Sequence, residues 1–313
     1  MVKKKKAAAP VRTSLLRRIY KGRVRYMLLL PFLIFVAVFK YVPMYGVVLA
    51  FKDYKIRKGI LGSPWAGFKY FEQLFSALSF KEVLANTLII NLMELILYFP
   101  VPIMMALFIN EIRNQRMKKT FQTISYLPHF ISWVVLAPIL KDVLALNGPI
   151  NTIIEKLGGT SIYFMADTGW FRWILLLSST WKGCGWGAIL YLAAITGINQ
   201  ELYEAAELDG ANKFRQIWHI TLPGIRPTIV ITLIMKMGDF MSAGFGQIYN
   251  MYSPAVYKVA DVLDTYTYRQ GIEAHNYSYA TAAGLFQNVV GFVLVILANY
   301  ICNKLSDGEE GLW

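Results

Sequence analysis

Two cysteines in 313 residues, Cys184 and Cys302, lie in or at the end of apolar runs without a partner at metal-ligand spacing. A disulfide scaffold and a thiolate metal site are both excluded, and the pair reads as small buried hydrophobes. The three histidines, His129, His219 and His275, are far apart. Neither G-x-S-x-G nor H-E-x-x-H occurs, so the signatures of serine and zinc hydrolases are missing. There is no G-x-x-x-x-G-K-[ST] phosphate loop, so ATP is not bound here by that route. Acids are also scarce, 19 against 32 lysines and arginines. The resulting net charge of +13 invites a nucleic-acid reading, but its distribution argues for a membrane.

What is abundant is apolar sequence. The chain is 56% hydrophobic, and the surplus sits in blocks of about 20 residues, the length that crosses a hydrocarbon core roughly 30 Å thick. Six spans are expected, near 26–50, 84–109, 121–144, 171–197, 225–247 and 280–304. Each must satisfy its own backbone hydrogen bonds, which predicts an all-α, polytopic bundle of six transmembrane helices. The expected organisation is a basic tail over 1–25, a membrane domain over 26–305 and a short tail over 306–313. The first run, "LLLPFLIFVAVF", is followed by "KYVPMYG" rather than a small-residue cleavage site, so it reads as an uncleaved span.

Orientation follows from counting Lys and Arg between spans. Residues 1–25, 110–120, 198–226 and the C-terminal end hold ten, four, three and one; the alternate loops 51–83, 145–170 and 248–279 hold six, one and two. Both termini are therefore expected in the cytoplasm, with the basic tail against anionic lipid headgroups. In the first outward loop, Phe68, Phe71, Leu74 and Phe75 have the spacing of a short amphipathic helix lying along the membrane surface.

The segment "ELYEAAELDGANKFRQIWHITLP", 201–223, is charged where a connector would need only a few residues. Asn199 is placed as an N-cap, with Glu201 and Glu204 in the positive first turns. Gly210 suits a helix end, a second helix carries Phe214, Ile217 and Trp218 on one face, and Pro223 is expected to stop it before the fifth span. Small Ala205, Ala206 and Gly210 admit a close protein surface, and the acids, Asp209 among them, would face basic groups on it.

"EAA", three residues, Gly210, nine residues and "ITLP" resemble the cytoplasmic signature of inner-membrane permeases of binding-protein-dependent ABC importers. "FKYVPMYGVVLAFKDY", "SPWAGFKYFEQLF", "ISYLPHFISWVV" and "ATAAGLFQNVVGFVLVILANYI" resemble the carbohydrate branch, in particular permeases paired with lipoprotein-linked polysaccharide and oligosaccharide importers. The resemblance implies a type I permease-like bundle in the bacterial plasma membrane whose coupling helix docks on a cytosolic ATPase. Glu204, Ala205, Ala206, Asp209 and Gly210 would make that contact, and Ile220, Leu222 and Pro223 would anchor the elbow. It further implies two ATPase subunits using ATP and Mg, a second and different permease, an extracellular solute-binding lipoprotein and a carbohydrate substrate. This chain would be no enzyme and would bind neither a metal nor a cofactor nor nucleic acid. The signature itself is shared by permeases for other polar solutes such as peptides and polyamines. A channel or a membrane-embedded hydrolase would not need the elbow.

Polar groups inside spans are costly and mark pathways. Glu94, Lys182 and Asp239 are the sharpest candidates, and the residues leave open whether they pair between helices or line a wet cavity. Trp133 and Trp186 lie near such groups, where an indole face stacks on a sugar ring or simply anchors at the interface. The glycines of "WKGCGWG" point to tight packing of the fourth span. Gln287 and Asn288 read as helix–helix hydrogen bonds.

Overall fold

The computed structural model describes residues 22–305; the basic tail up to residue 21 and the tail 306–313 lie outside them. Within them the backbone is helical almost throughout, and the one extended pairing is an isolated bridge between Lys52 and Trp65. The elements are α1 (Arg23–Phe51), α2 (Lys69–Ser76), α3 (Leu78–Glu111), α4 (Gln115–Phe130), α5 (Trp133–Val143), α6 (Pro149–Lys156), α7 (Phe171–Thr196), α8 (Gln200–Leu208), α9 (Lys213–Gly238), α10 (Phe245–Met251), α11 (Leu263–Tyr268) and α12 (Tyr277–Leu305).

Among the described residues, α1, α3, α9 and α12 are each long and apolar enough to cross a membrane, and α4 with α5, bent by 100° between them, makes a fifth if the pair is one span. The remaining expected span, α7, has the length at 26 residues but falls short in apolarity because Ser178, Ser179, Thr180, Lys182 and three glycines dilute it. Its position explains the composition. Phe171, Ile174, Leu175, Leu176, Ala188, Tyr191, Leu192 and Ile195 are buried, so α7 packs at the centre of the bundle with less surface for lipid to select.

Three of the prolines are absorbed by a repeated device. Proline lacks an N–H and its ring collides with the carbonyl four residues back. Ahead of Pro43, Pro100 and Pro223 the helix widens into a π turn, at Ala37–Tyr41, Glu94–Tyr98 and Ile217–Thr221, each ending two residues before the ring. Wide turns of this kind are rare and gather at functional positions. The third corrects the expectation that Pro223 ends a helix: α9 runs unbroken through it, because the π turn releases the carbonyl the ring would strike.

Three apolar clusters hold the bundle. One cluster joins Phe164, Phe171, Ile174, Ile248, Met251, Val256 and Val262. A second joins the end of α1 (Ala50) to Leu74, Phe80, Tyr266, Tyr279 and Ala283. A third, at the opposite end, joins Ala106 and Ile109 of α3 to Tyr191, Leu192 and Ile195 of α7 and Ile225 of α9. The surface helix expected at 68–75 exists as α2, but Tyr70 and Leu74 are buried in the second cluster and only Phe68 and Phe75 stay exposed. Its inner face is thus held by protein, not lipid. Beside it the Tyr70 hydroxyl donates to Asp53 at 2.8 Å, holding that carboxyl below its ordinary range.

The glycines of α7 are packing residues. A Cβ on Gly185 would stand 2.1 Å from the Ser125 carbonyl oxygen of α4, and one on Gly183 would stand 2.5 Å from the Tyr98 hydroxyl. Backbones meet at that point with nothing between them. Gln287 bridges as expected, donating to the Met241 carbonyl at 2.9 Å and to Asp264 at 2.7 Å, whereas Asn288 turns back onto the Gly284 carbonyl of its own helix at 2.8 Å.

Candidate functional site

The segment 199–223 folds as an exposed elbow. The Asn199 side chain accepts from the Glu201 N–H at 3.1 Å and starts α8, with Glu201 in the first turn. At the other end Gly210 takes φ +75°, a conformation only glycine enters freely. Its N–H reaches the Glu207 carbonyl at 3.1 Å and the Ala211 N–H reaches that of Ala206 at 2.8 Å, closing a Schellman turn. Asn212 then caps α9, accepting from the Arg215 N–H at 2.9 Å.

Cross-bonds make the elbow stiff. Tyr203 and Thr221 share a hydroxyl hydrogen bond of 2.9 Å, tying α8 to the π turn of α9. Lys213 donates to Glu207 at 3.2 Å and lowers its carboxyl below the usual value. Glu204, Ala205, Asp209 and Gly210 are exposed and Ala206 is half-buried. Leu222 packs against the third apolar cluster and Ile220 is half-buried, but Pro223 is exposed, so its ring does not itself anchor the elbow. At Gly224 the start of the span lies close to Ile198, whose side-chain end a Cβ there would approach to 2.7 Å. Leu208 was missed by sequence reading: it is 91% exposed, an apolar side chain with no cover in this chain, and its only signal was a leucine among acids.

A second site lies where three irregular backbone segments meet: the π turn of α3, the 100° break between α4 and α5, and the link between α9 and α10. Non-helical backbone is tolerated at membrane depth where it lines a cavity. Glu94, Tyr98, His129, Trp133, Lys182 and Gln247 line one of about 320 Å³ there. Glu94 pairs with Lys236 at 2.6 Å, and not with Lys182. Lys182 instead donates to the His129 carbonyl at 2.6 Å, its ammonium 5.8 Å from the centre of the Trp133 ring. Three of the five expected pathway residues, Glu94, Trp133 and Lys182, therefore come together. Trp186 stands outside the lining, stacked on the His129 ring at 4.5 Å, and Asp239 is exposed at the end of α9, also outside it. Tyr98 and Gln247 were not anticipated; Gln247, inside "GFGQIY", donates to the Leu175 carbonyl at 2.7 Å and Ser178 at 2.9 Å. Among the described residues no three His, Cys, Asp or Glu side chains converge as for a metal.

A multi-helix membrane bundle with a polar cavity at its irregular centre and an exposed, stiff elbow at one end defines a transport subunit. Residues 82–307 match the family described as binding-protein-dependent transport system inner membrane component, and the chain belongs to that family. Its members are permease subunits of ABC transporters and are not themselves enzymes. It is 44% identical to Protein LplB of Bacillus subtilis (strain 168), covering 99% of this chain and 98% of the relative. It is also 44% identical to the polygalacturonan/rhamnogalacturonan transport system permease protein YteP of the same organism, covering 96% and 94%. The fold superposes with a TM-score of 0.87, at 40% identity and over 93% of this chain and 98% of the other, on a chain from a crystal structure of a bacterial ABC transporter involved in the import of the acidic polysaccharide alginate. A second such structure, of the alginate transporter in complex with an alginate pentasaccharide-bound periplasmic protein, matches with the same TM-score at 39% identity, over 95% and 99%.

Proposed function

We propose that this chain forms one half of the translocation pathway of an ATP-driven importer for oligosaccharides or polysaccharide fragments. It pairs with a second, different permease, receives substrate from an extracellular solute-binding lipoprotein, and takes its motion from two cytosolic ATPase subunits that use ATP and Mg. All six expected spans cross the plasma membrane, α7 shielded at the centre, with both termini in the cytoplasm. The relatives named for polygalacturonan and alginate support the carbohydrate class.

The observation that carries the reading is the elbow. Its exposed apolar tip at Leu208 stands beside Glu204, Ala205, Asp209 and Gly210, on a turn bonded at both ends and continuous with α9. Such a piece transmits displacement instead of absorbing it, which is what rocking the spans between inward- and outward-facing states requires. Glu204→Lys with Gly210→Pro reverses a charge and forbids the φ the turn needs. The variant inserts in the membrane at normal levels but loses the ATPase on co-purification and loses uptake. ATPase recovered in wild-type amounts with the double variant refutes the docking role.

A further inference from the structure

We propose that Lys182 recognises a substrate carboxylate, and that the pathway therefore selects acidic, uronate-bearing oligosaccharides over neutral ones. The proposal rests on the oligosaccharide reading of the same cavity.

The elements around the cavity contribute few ionisable groups. From α3 come the Tyr98 phenol and Glu94, the latter cancelled by the Lys236 ammonium of α9 at 2.6 Å. The α4–α5 break contributes His129, whose ring is stacked on Trp186, and Trp133. The α10 side contributes Gln247, already committed to α7 by two hydrogen bonds. From α7 comes Lys182. Among the described residues no carboxylate pairs with it, and its single hydrogen bond is to the His129 carbonyl. An ammonium has three donors, so two have no protein partner. A cation without a carboxylate partner among membrane spans is costly and marks a pathway.

The hydrogen bond to the His129 carbonyl does not by itself account for the charge, since a neutral amide would supply that donor. The charge serves the Trp133 ring 5.8 Å away and leaves a charge-assisted bond open to an incoming anion. Beside it the Trp133 ring offers an apolar face of the kind that stacks on a pyranose. Carboxylate and sugar ring are joined in one unit in a uronic acid. A cavity of about 320 Å³ in this half is at the lower end of the range for small-molecule sites, about 300–1,000 Å³.

The test is equilibrium binding of trigalacturonate, and of the same trisaccharide fully methyl-esterified, to the purified four-subunit importer without its binding protein. The two probes share every ring and differ in charge. Lys182→Gln keeps a donor for the His129 carbonyl and removes the charge; Lys182→Arg keeps the charge. Wild type is expected to hold the acid at least tenfold more tightly than the ester. Lys182→Gln abolishes that preference while leaving the ester within twofold, and Lys182→Arg retains it. Equal loss of both probes in Lys182→Gln, or a preference for the acid that survives in it, overturns the charge role and leaves the oligosaccharide reading standing. Failure of wild type to bind either probe, or a neutral arabino- or galacto-trisaccharide, overturns both.

Discussion

At the scale of single residues the decisive matter is which charges are matched. Glu94 and Lys236 are 142 positions apart, and their 2.6 Å contact joins α3 to α9 next to the cavity. Removing one partner strands the other among apolar helices, whereas removing both leaves a neutral contact. Glu94→Gln or Lys236→Met alone is therefore expected to cost about 2 kcal/mol or more, and the double variant markedly less than the sum. Thermal unfolding of the detergent-solubilised importer measures this; strictly additive losses would mean that the pair is not coupled. Sequence reading identified Glu94 and Lys182 as important but not their partners, because pairing across such separations is set by helix packing.

At the scale of elements, the bundle depends on places where backbones touch. Gly185 in α7 belongs to a glycine cluster whose sequence already pointed to tight packing, whereas Gly284 in α12 is a lone glycine in an apolar run. A methyl group on Gly185 would collide with the Ser125 carbonyl of α4, and one on Gly284 would meet nothing within 4 Å. Gly185→Ala should destabilise the bundle by about 1–3 kcal/mol, in the range of overpacked cores. Gly284→Ala should be neutral or slightly stabilising, since alanine favours helix by about 1 kcal/mol over glycine. Comparing the melting temperatures of the two variants decides the matter, and similar values would remove α4–α7 contact as the reason for the glycine. Proline shows the limit of local reading. Pro223 has the look of a helix stop, yet the π turn at Ile217–Thr221 lets the chain carry the elbow and the span as one lever.

For the whole molecule, the proposed topology puts the elbow and the loop around α6 on opposite sides of the membrane. With Cys184 and Cys302 replaced, a cysteine at Leu208 should react with a membrane-impermeant maleimide only once the cytoplasmic face is opened. A cysteine at Leu157, 83% exposed beyond α6, should react in intact cells. The reverse pattern would invert the topology and detach the elbow from any cytosolic motor. Lipid also explains the apolar surface of the chain. The membrane-spanning window of α1 has none of its residues buried, and Leu28, Phe32 and Phe39 are more than 60% exposed. In a bilayer such faces need no protein cover, since lipid tails are as apolar as leucine.

Helix type and the caps of the elbow were legible from the amino-acid order alone, but not every length: the fifth span, expected over 225–247, is a helix over 213–238. Hydrocarbon thickness, backbone hydrogen bonding and caps such as Asn199 and Gly210 act over a few residues or along a single helix. The bent α4–α5 span, the π turns and the cavity were not legible. The bend and the cavity arise where a broken helix is compensated by a neighbour distant in sequence, as Lys182 compensates the His129 carbonyl, and the π turns set in ahead of prolines that read as stops or kinks. Local physics determined which segments enter the membrane; only the packing of those segments decided that Glu94 pairs with Lys236, that Lys182 turns to the His129 carbonyl, and that Asp239 stands outside the cavity.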